Sequence, residues 1–312
     1  MTKRKFLIDT DTASDDAVAL IMALQHPDIE VEAITVVSGN VEIEQGVRNA
    51  LYTAELCGSD VPVYQGALRP LSREPIYAHS VHGSDGLGDM NYPPPRCGPA
   101  QGHGAEVIVE TIRANPGLVL VTLGPLTNVA MALEKAPEIA VDVSSCVIMG
   151  GVACTVGNIT PAAEFNIWVD PEAARVVLRS GIPSTLSPLN VSRKAIFTRE
   201  WYEKLVEVDT PLTRLIKMRM EDRFERDPDL RMLMYDQLAV ATLIDPTLFK
   251  MEELYVDVDI NHGINYGVSV GGSKLWPGAQ GARKIQVEHD VDWDRFINLY
   301  IERMTRPVPA RD

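Results

Sequence analysis

Short apolar runs alternate with longer amphipathic stretches through the first 190 residues, and that alternation leaves few architectures open. Strand-length runs fall at residues 5–8, 31–37, 61–64, 118–123, 143–149 and 182–186. Between them, helical periodicity covers about 15–26, 42–56, 105–114 and 126–135. Asp170-Pro171-Glu172 opens a further helix with a capping aspartate and a proline in the first turn. Strands alternating with amphipathic helices form βαβ units and a sheet covered on both faces. The expected fold is therefore α/β, an open, mostly parallel twisted sheet flanked by helices.

The second half reads differently. Residues 199–226 are helical and charged, with a break near Asp209-Thr210-Pro211. A helix over 236–244 follows, then a β-rich stretch over 254–287 and a last helix over 292–304. No Ser/Gly-rich linker, internal repeat or low-complexity run interrupts the chain, so 1–312 is expected to be one domain with additions after the core sheet. The Pro/Gly-dense segment 83–104 is too long for a routine connection and is expected to be a lid or binding loop.

Composition narrows the function. With 29 Lys and Arg against 43 Asp and Glu, the net charge of −14 disfavours a nucleic-acid backbone binder. It suits a site that gathers carboxylates around a cation. Cys57, Cys97, Cys146 and Cys154 show no CxxC spacing, which indicates neither a zinc knuckle nor a disulfide framework. The start MTKRKFLIDTD is not expected to act as a signal peptide, and no apolar run approaches the roughly 18 residues of a membrane span. A soluble, cytoplasmic protein is expected.

The chemistry concentrates in Asp9-Thr10-Asp11-Thr12-Ala13-Ser14-Asp15-Asp16, directly after the first strand. Four carboxylates within eight residues repel one another unless something positive sits among them. Hard oxygen donors with no His or Cys nearby point to Ca²⁺ or Mg²⁺ rather than zinc. The plainer reading is an acidic turn in which Asp15 or Ser14 caps the next helix. Because the carboxylates begin inside an apolar strand, the metal reading is preferred. Ser38-Gly39-Asn40, Leu123-Gly124-Pro125 and Met149-Gly150-Gly151 each follow a strand, so they share the carboxyl edge with the aspartates. That edge is where open α/β sheets bind ligands. Downstream, Asn158, Glu164, Asn166 and Asp170 suit hydroxyl recognition or loop capping. His82 lies in a glycine-rich loop that could close over a substrate.

Taken in order, DTDxxxDD at 9–16, VVSGN at 36–40, HGSDGLG at 82–88, LGPLTN at 123–128, MGG at 149–151, AEFNIWVDPEAA at 163–174 and YDQLAV at 235–240 make a specific pattern. The chain resembles the inosine-uridine-preferring nucleoside hydrolases along nearly its whole length. The resemblance implies Ca²⁺-dependent hydrolysis of the N-glycosidic bond of ribonucleosides to ribose and free base, with a metal-bound water as nucleophile. It implies calcium ligation by the carboxylates of Asp11, Asp16 and Asp236 and the carbonyl of Leu123. Asp15, Asn40, Glu164 and Asn166 would hold the ribose hydroxyls, Met149 and Asn158 would line the sugar pocket, and Asp11 would take the proton from the water. By the same resemblance a homodimer or homotetramer acting in purine and pyrimidine salvage is expected, with 2′-deoxynucleosides poor substrates.

Two positions depart from the family pattern. Many members read DPG where this chain has Asp11-Thr12-Ala13, so the turn must form without proline and glycine. Tyr235 stands where relatives commonly carry a histidine thought to protonate the leaving base. A phenol, ordinarily titrating near ~10, is a weaker acid than imidazolium. Proton donor, stacking platform, or bystander to a proton route through His82 all stand open for Tyr235. Faces for the base are expected from Tyr235, His82, Tyr77 and Phe224, with Trp168 either sharing the face of Asn166 and Glu164 in an extended run or buried in the core. Two other readings are carried forward. One is a non-catalytic calcium-dependent ribonucleoside-binding protein that has lost its acid. The other is a haloacid-dehalogenase-type phosphatase, since Asp9-Thr10-Asp11 mimics the DxDx[TV] signature although position 13 is Ala.

Overall fold

A computed structural model describes residues 3–308 of the chain; residues 1–2 and 309–312, the ends of the expected domain span, lie outside the described residues. The strands are β1 (Arg4–Thr10), β2 (Ile29–Val36), β3 (Val63–Gln65), β4 (Leu118–Thr122), β5 (Val143–Met149), β6 (Ser184–Ser187), β7 (Ile196–Phe197), β8 (Met232–Leu233), β9 (Phe249–Val258), β10 (Ser269–Gly272) and β11 (Arg283–Val291). The helices are α1 (Ser14–Leu24), α2 (Ile43–Leu56), α3 (His79–His82), α4 (Gly104–Ala114), α5 (Thr127–Lys135), α6 (Phe165–Val169), α7 (Pro171–Arg179), α8 (Leu189–Ser192), α9 (Arg199–Val206), α10 (Pro211–Arg226), α11 (Asp236–Ile244) and α12 (Trp293–Met304).

Nine strands form one sheet in the order β10-β9-β11-β6-β5-β4-β1-β2-β3, while β7 and β8 pair separately. Pairing is parallel from β3 across to β11, and β9 adds antiparallel to β11 and β10. The strand order reverses direction at β1, whose neighbours are β2 on one side and β4 on the other. Crossovers diverge there, which leaves a crevice outside the carboxyl ends of β1 and β4. The expected α/β class is what the chain adopts, and the β-rich part extends further at both ends than the sequence suggested.

Alternation along β1 divides the core. Phe6 and Ile8 pack with α1, α2, α11 and α12 on one face, whereas Leu7 packs with α4, α5 and α7 on the other. Helices α1 and α11 are buried almost all round, α1 from Asp16 to Ala23 and α11 from Asp236 to Leu243, and they pack on each other. A helix apolar on every face belongs inside a protein, not on its surface. Burying one Leu or Ile side chain contributes about 1.5–3 kcal/mol, so these two helices are firmly seated and so are the residues at their N-termini.

Local signals acted much as the chemistry dictates, with one exception. Thr210 caps α10, its Oγ1 accepting from the Thr213 N–H at 3.1 Å, and Pro211 takes the first helical position. Asp170 caps α7 through the Ala173 N–H at 3.1 Å. At α1 the cap is Ala13 rather than Ser14 or Asp15. Asp16 reaches back to accept from the Ala13 N–H at 2.9 Å, so the helix start is closed from within. All four cysteines are free, and no helix among the described residues is long and apolar enough to cross a membrane.

Glu288 on β11 is fully buried beneath α11 and accepts a hydrogen bond from the Thr242 hydroxyl. Burial pushes its carboxyl up from 4.5 to about 7, partly opposed by the hydroxyls of Thr242 and Ser187. A raised carboxyl supports the fold while protonated. That support is complete below the unfolded value of 4.5 and is lost as pH rises through about 7. Glu288→Gln keeps the shape without the charge, so urea melts should find it about 2–3 kcal/mol more stable than the parent near pH ~8 and equal to it near pH ~4.

Candidate active site

Thr10, the last residue of β1, organises the turn that follows it. Its Oγ1 donates to Asp16 Oδ1 at 2.6 Å and accepts from the Thr12 N–H at 3.2 Å. The turn thus closes on a threonine hydroxyl and needs no proline or glycine. Asp9 faces the sheet, where it accepts from Thr35 Oγ1 at 2.5 Å and Asn128 Nδ2 at 2.8 Å. These bonds tie β2 and α5 to β1, a structural use that leaves Asp9 unsuited to the phosphatase nucleophile role.

Asp11 is packed between two strand-end turns. A β-carbon on Gly39 would lie 2.1 Å from its Oδ2, and one on Gly124 would lie 2.7 Å from its Oδ1. These two glycines therefore serve close approach, and the turns after β2 and β4 clasp the carboxylate. The Asn40 N–H donates to Asp11 Oδ2 at 2.6 Å.

Asp15 and Asp16 occupy the first turn of α1, and Asp236 is the first residue of α11. Carboxylate oxygens of Asp15, Asp16 and Asp236 lie within 4.8 Å of one another. Burial raises the carboxyl of Asp16 to about 6, with Asp15 adding to the rise. Burial likewise lifts Asp11 and Asp236 well above the ordinary range, and the neighbouring aspartates push them further. Asp11 Oδ1 and Asp15 Oδ1 are buried without a hydrogen-bond partner among the described residues. Two helix N-termini point their positive ends at this cluster, which offsets part of the repulsion. The remaining need is for a cation, and an all-oxygen donor set with orphaned carboxylate oxygens fits a hard divalent ion.

A cavity of about 460 Å³ opens above the cluster. Asp15, Asn40, Leu123, Asp236, Met149, Asn158, Glu164 and Asn166 all line it. Asp11 and Asp16 lie beneath, completely buried. Glu164 caps α6, taking N–H bonds from Asn166 and Ile167 and, on Oε2, from Gly151 at 2.8 Å. Three of its acceptor positions are used, and a carboxylate has about four. Asn166 Nδ2 donates to the Leu123 carbonyl at 2.7 Å, and Asn158 Oδ1 accepts from the Phe165 N–H at 2.9 Å.

His82, Tyr77 and Tyr235 also line the cavity. His82 Nδ1 lies 2.8 Å from Ser14 Oγ and 3.6 Å from Asp15 Oδ1. Burial lowers its pKa, Asp15 opposes that, and Arg219 and Arg223 lower it further. Tyr235 is driven the other way, up to about 12, first by burial and then by Asp15 and Glu164. Burial thus disfavours the charged form of each ring.

Several expectations need correction. Residues 165–169 are helical instead of extended, so Trp168 does not share the face of Glu164 and Asn166; it stacks under the Arg73 guanidinium at 4.0 Å. Phe224 is core, stacked on Tyr202 at 5.1 Å, and takes no part in the cavity. Segment 83–104 is absent from the cavity wall and packs over α2 instead, with Tyr92 on Tyr52 at 4.4 Å. Asp170 holds Thr127 Oγ1 at 2.7 Å and the Leu71 N–H at 2.9 Å, away from the cavity. The charged helix over 212–226, readable as a solvated flank or as part of a cover over the site, supplies wall as α10: Ile216, Arg219, Met220 and Arg223, not singled out in the sequence, line the cavity. Their spacing is that of one helix face, which was the available signal.

Comparison with known proteins agrees with this geometry. Residues 6–298 match the family model described as inosine-uridine preferring nucleoside hydrolase. A pyrimidine-specific ribonucleoside hydrolase, RihB of Escherichia coli, is 34% identical over 298 residues, covering 94% of this chain and 95% of that protein. Among solved structures, a plant nucleoside hydrolase superposes with a TM-score of 0.91 at 30% identity, covering 97% of this chain and 99% of that one. A purine-preferring ribonucleoside hydrolase from Gardnerella vaginalis gives 0.86 at 31% identity, covering 97% and 98%.

Gly39 offers a test of the clasp. Gly39→Ala inserts a methyl group where Asp11 Oδ2 stands, so divalent-cation affinity should fall roughly 10- to 100-fold by calorimetric titration, an effect of second-layer disruption. Unfolding should shift by no more than about 1–3 kcal/mol. Unaltered affinity would show that Asp11 tolerates displacement.

Proposed function

We propose a calcium-dependent reaction for this chain, which belongs to the inosine-uridine preferring nucleoside hydrolase family and is a hydrolase of ribonucleoside N-glycosidic bonds. What carries the calcium reading is the pair of buried, unpartnered oxygens on Asp11 and Asp15 amid Asp16 and Asp236. Asp11, Asp16 and Asp236 would hold the ion through carboxylates and Leu123 through its carbonyl, with Asp15 adjoining. Bound there, calcium supplies a Lewis-acidic site that holds the attacking water and eases its deprotonation.

The chain's own residues do the rest. Asp11 accepts the water's proton, a role that suits a carboxylate shielded from solvent. Asp15, Asn40, Glu164 and Asn166 take the ribose hydroxyls, and Met149 and Asn158 close the sugar pocket. Fixing the hydroxyls orients the anomeric carbon toward the water. As the glycosidic bond lengthens, the ribose ring gains oxocarbenium-like positive charge, and the surrounding carboxylates stabilise it. Glu164 is held by three backbone N–H groups, so this stabilisation needs no rearrangement. We place the reaction in purine and pyrimidine salvage in the cytoplasm, carried out by a homodimer or homotetramer, on the strength of the family resemblance.

Chelator-stripped protein assayed for reducing-sugar release on a ribonucleoside panel should be active only after calcium is restored. Asp11→Ala should lose both calcium binding and roughly 10³-fold or more of turnover, and a fully active variant would overturn the assignment. With Asp15 and Asn40 reading the 2′-hydroxyl, deoxyinosine should react at least about 100-fold more slowly than inosine, and equal rates would remove them from that role.

A further inference from the structure

Asn128, the second residue of α5, is completely buried, and its amide binds three separate segments of the chain. Nδ2 donates to Asp9 Oδ1 at 2.8 Å and to the Val36 carbonyl at 3.1 Å, while Oδ1 accepts from the Ala67 N–H at 2.8 Å. Only a group with two donors and an acceptor in one plane serves all three partners. A carboxylate of the same shape has nothing to donate and would set a like charge against Asp9. A β-carbon on Gly66 would fall 2.2 Å from Asn128 Oδ1, and one on Gly104 would fall 3.2 Å from its Nδ2. The amide is thus enclosed by glycines, as the Asp11 carboxylate is by Gly39 and Gly124.

The two enclosures are joined. Val36 closes β2, and the turn Ser38-Gly39-Asn40 follows almost at once. The Gly66 N–H donates to the same Val36 carbonyl at 2.8 Å, and the Ser38 N–H donates to the Ala67 carbonyl at 3.0 Å. Asn128 therefore holds the root of this turn both directly and through Ala67. On the other side of Asp11, the chain passes from Gly124 through Pro125 and Leu126 straight into α5, which carries Asn128. One amide links the turn beside Asp11 Oδ2 to the helix that continues the turn beside Asp11 Oδ1. The Asn40 N–H holds Oδ2 at 2.6 Å and Oδ1 has no partner, so the aim of Oδ1 follows the Gly39 turn.

We propose that Asn128 is a positioning residue of the acidic cluster: its amide sets the gap between Gly39 and Gly124 in which the Asp11 carboxylate sits, and through that gap the affinity for the cation. The inference rests on the calcium reading of the cluster. Asn128 touches neither cation nor substrate in this role. It acts on where a ligand oxygen points, and hydrogen bonds that orient ligands in this way are worth roughly 10- to 100-fold in metal affinity.

The test is calorimetric titration of calcium into chelator-stripped wild type, Asn128→Ser, Gly66→Ala and Val129→Ala, each with a thermal melt. Val129 is the next residue of α5, buried but outside the network, so its truncation weakens the fold without moving the turn. Asn128→Ser should lose roughly 10- to 100-fold in calcium affinity, while Val129→Ala melts below wild type and keeps its affinity. Gly66→Ala displaces the Asn128 amide from outside and should reproduce the loss, and it carries the test alone if Asn128→Ser does not fold. Wild-type affinity in both Asn128→Ser and Gly66→Ala overturns the inference while sparing the calcium reading. So does an equal loss in Val129→Ala, since affinity would then track stability. A wild-type protein that binds no calcium overturns the calcium reading and this inference together.

Discussion

Asp11 lies among three other aspartates with one carboxylate oxygen left without a hydrogen bond, and keeping it there accounts for much of the surrounding structure. Like charges this close resist burial. The fold answers with the N-termini of α1 and α11, with the Asn40 and Ala13 N–H groups, and with the Thr10 hydroxyl on Asp16. For two helix starts to converge on one point, both helices must run through the interior. That is why α1 and α11 are apolar on nearly every face. Gly39 and Gly124 belong to the same solution, since any side chain there would occupy the carboxylate's place.

The sheet order makes the rest of the site a consequence of position. Reversal at β1 opens a crevice between the turns after β1, β2 and β4. β5 follows on the same edge, bringing Met149 and, through the Gly151 N–H, the anchor of Glu164. The acidic part of the cavity is therefore built next to strand ends held in one sheet, where small displacements are resisted by both cores. The rest of the wall includes α10 and Tyr235, which lie outside the parallel strands.

Legibility in the sequence followed the range of the interaction. Strand and helix alternation, the Thr210-Pro211 break and the Asp170 cap are local, and each was readable from neighbouring residues. The shared edge of the aspartates and glycines followed from strand direction alone. What could not be read depended on partners distant in sequence. Asp9 and Asp11 are two residues apart and chemically identical, yet Asn128 and Thr35 claim one for the sheet while Gly39 and Gly124 leave the other facing the cluster. A charged helix such as α10 shows apolar and basic residues on one face, but only its neighbours decide whether that face meets water or a cavity. Residues 164–168 read as an alternating strand because a single helical turn is too short to show its period.

The concentration of carboxylates on one part of the cavity wall has a chemical logic under the proposed function. Charge separation during glycosidic cleavage is the same for every base at the sugar, where positive charge grows, and differs only at the departing ring. On the proposed reading, the carboxylates of the turn after β1 and of the starts of α1, α6 and α11 answer the common part. On α10, Leu212, Leu215 and Phe224 are buried and hold the helix in place, while Arg219 and Arg223 line the cavity. Both parts of the cavity rest on one core, since the buried residues of α10 join the same apolar cluster as β1, α1 and α11, so a change in one wall is felt through the packing that holds the acidic cluster.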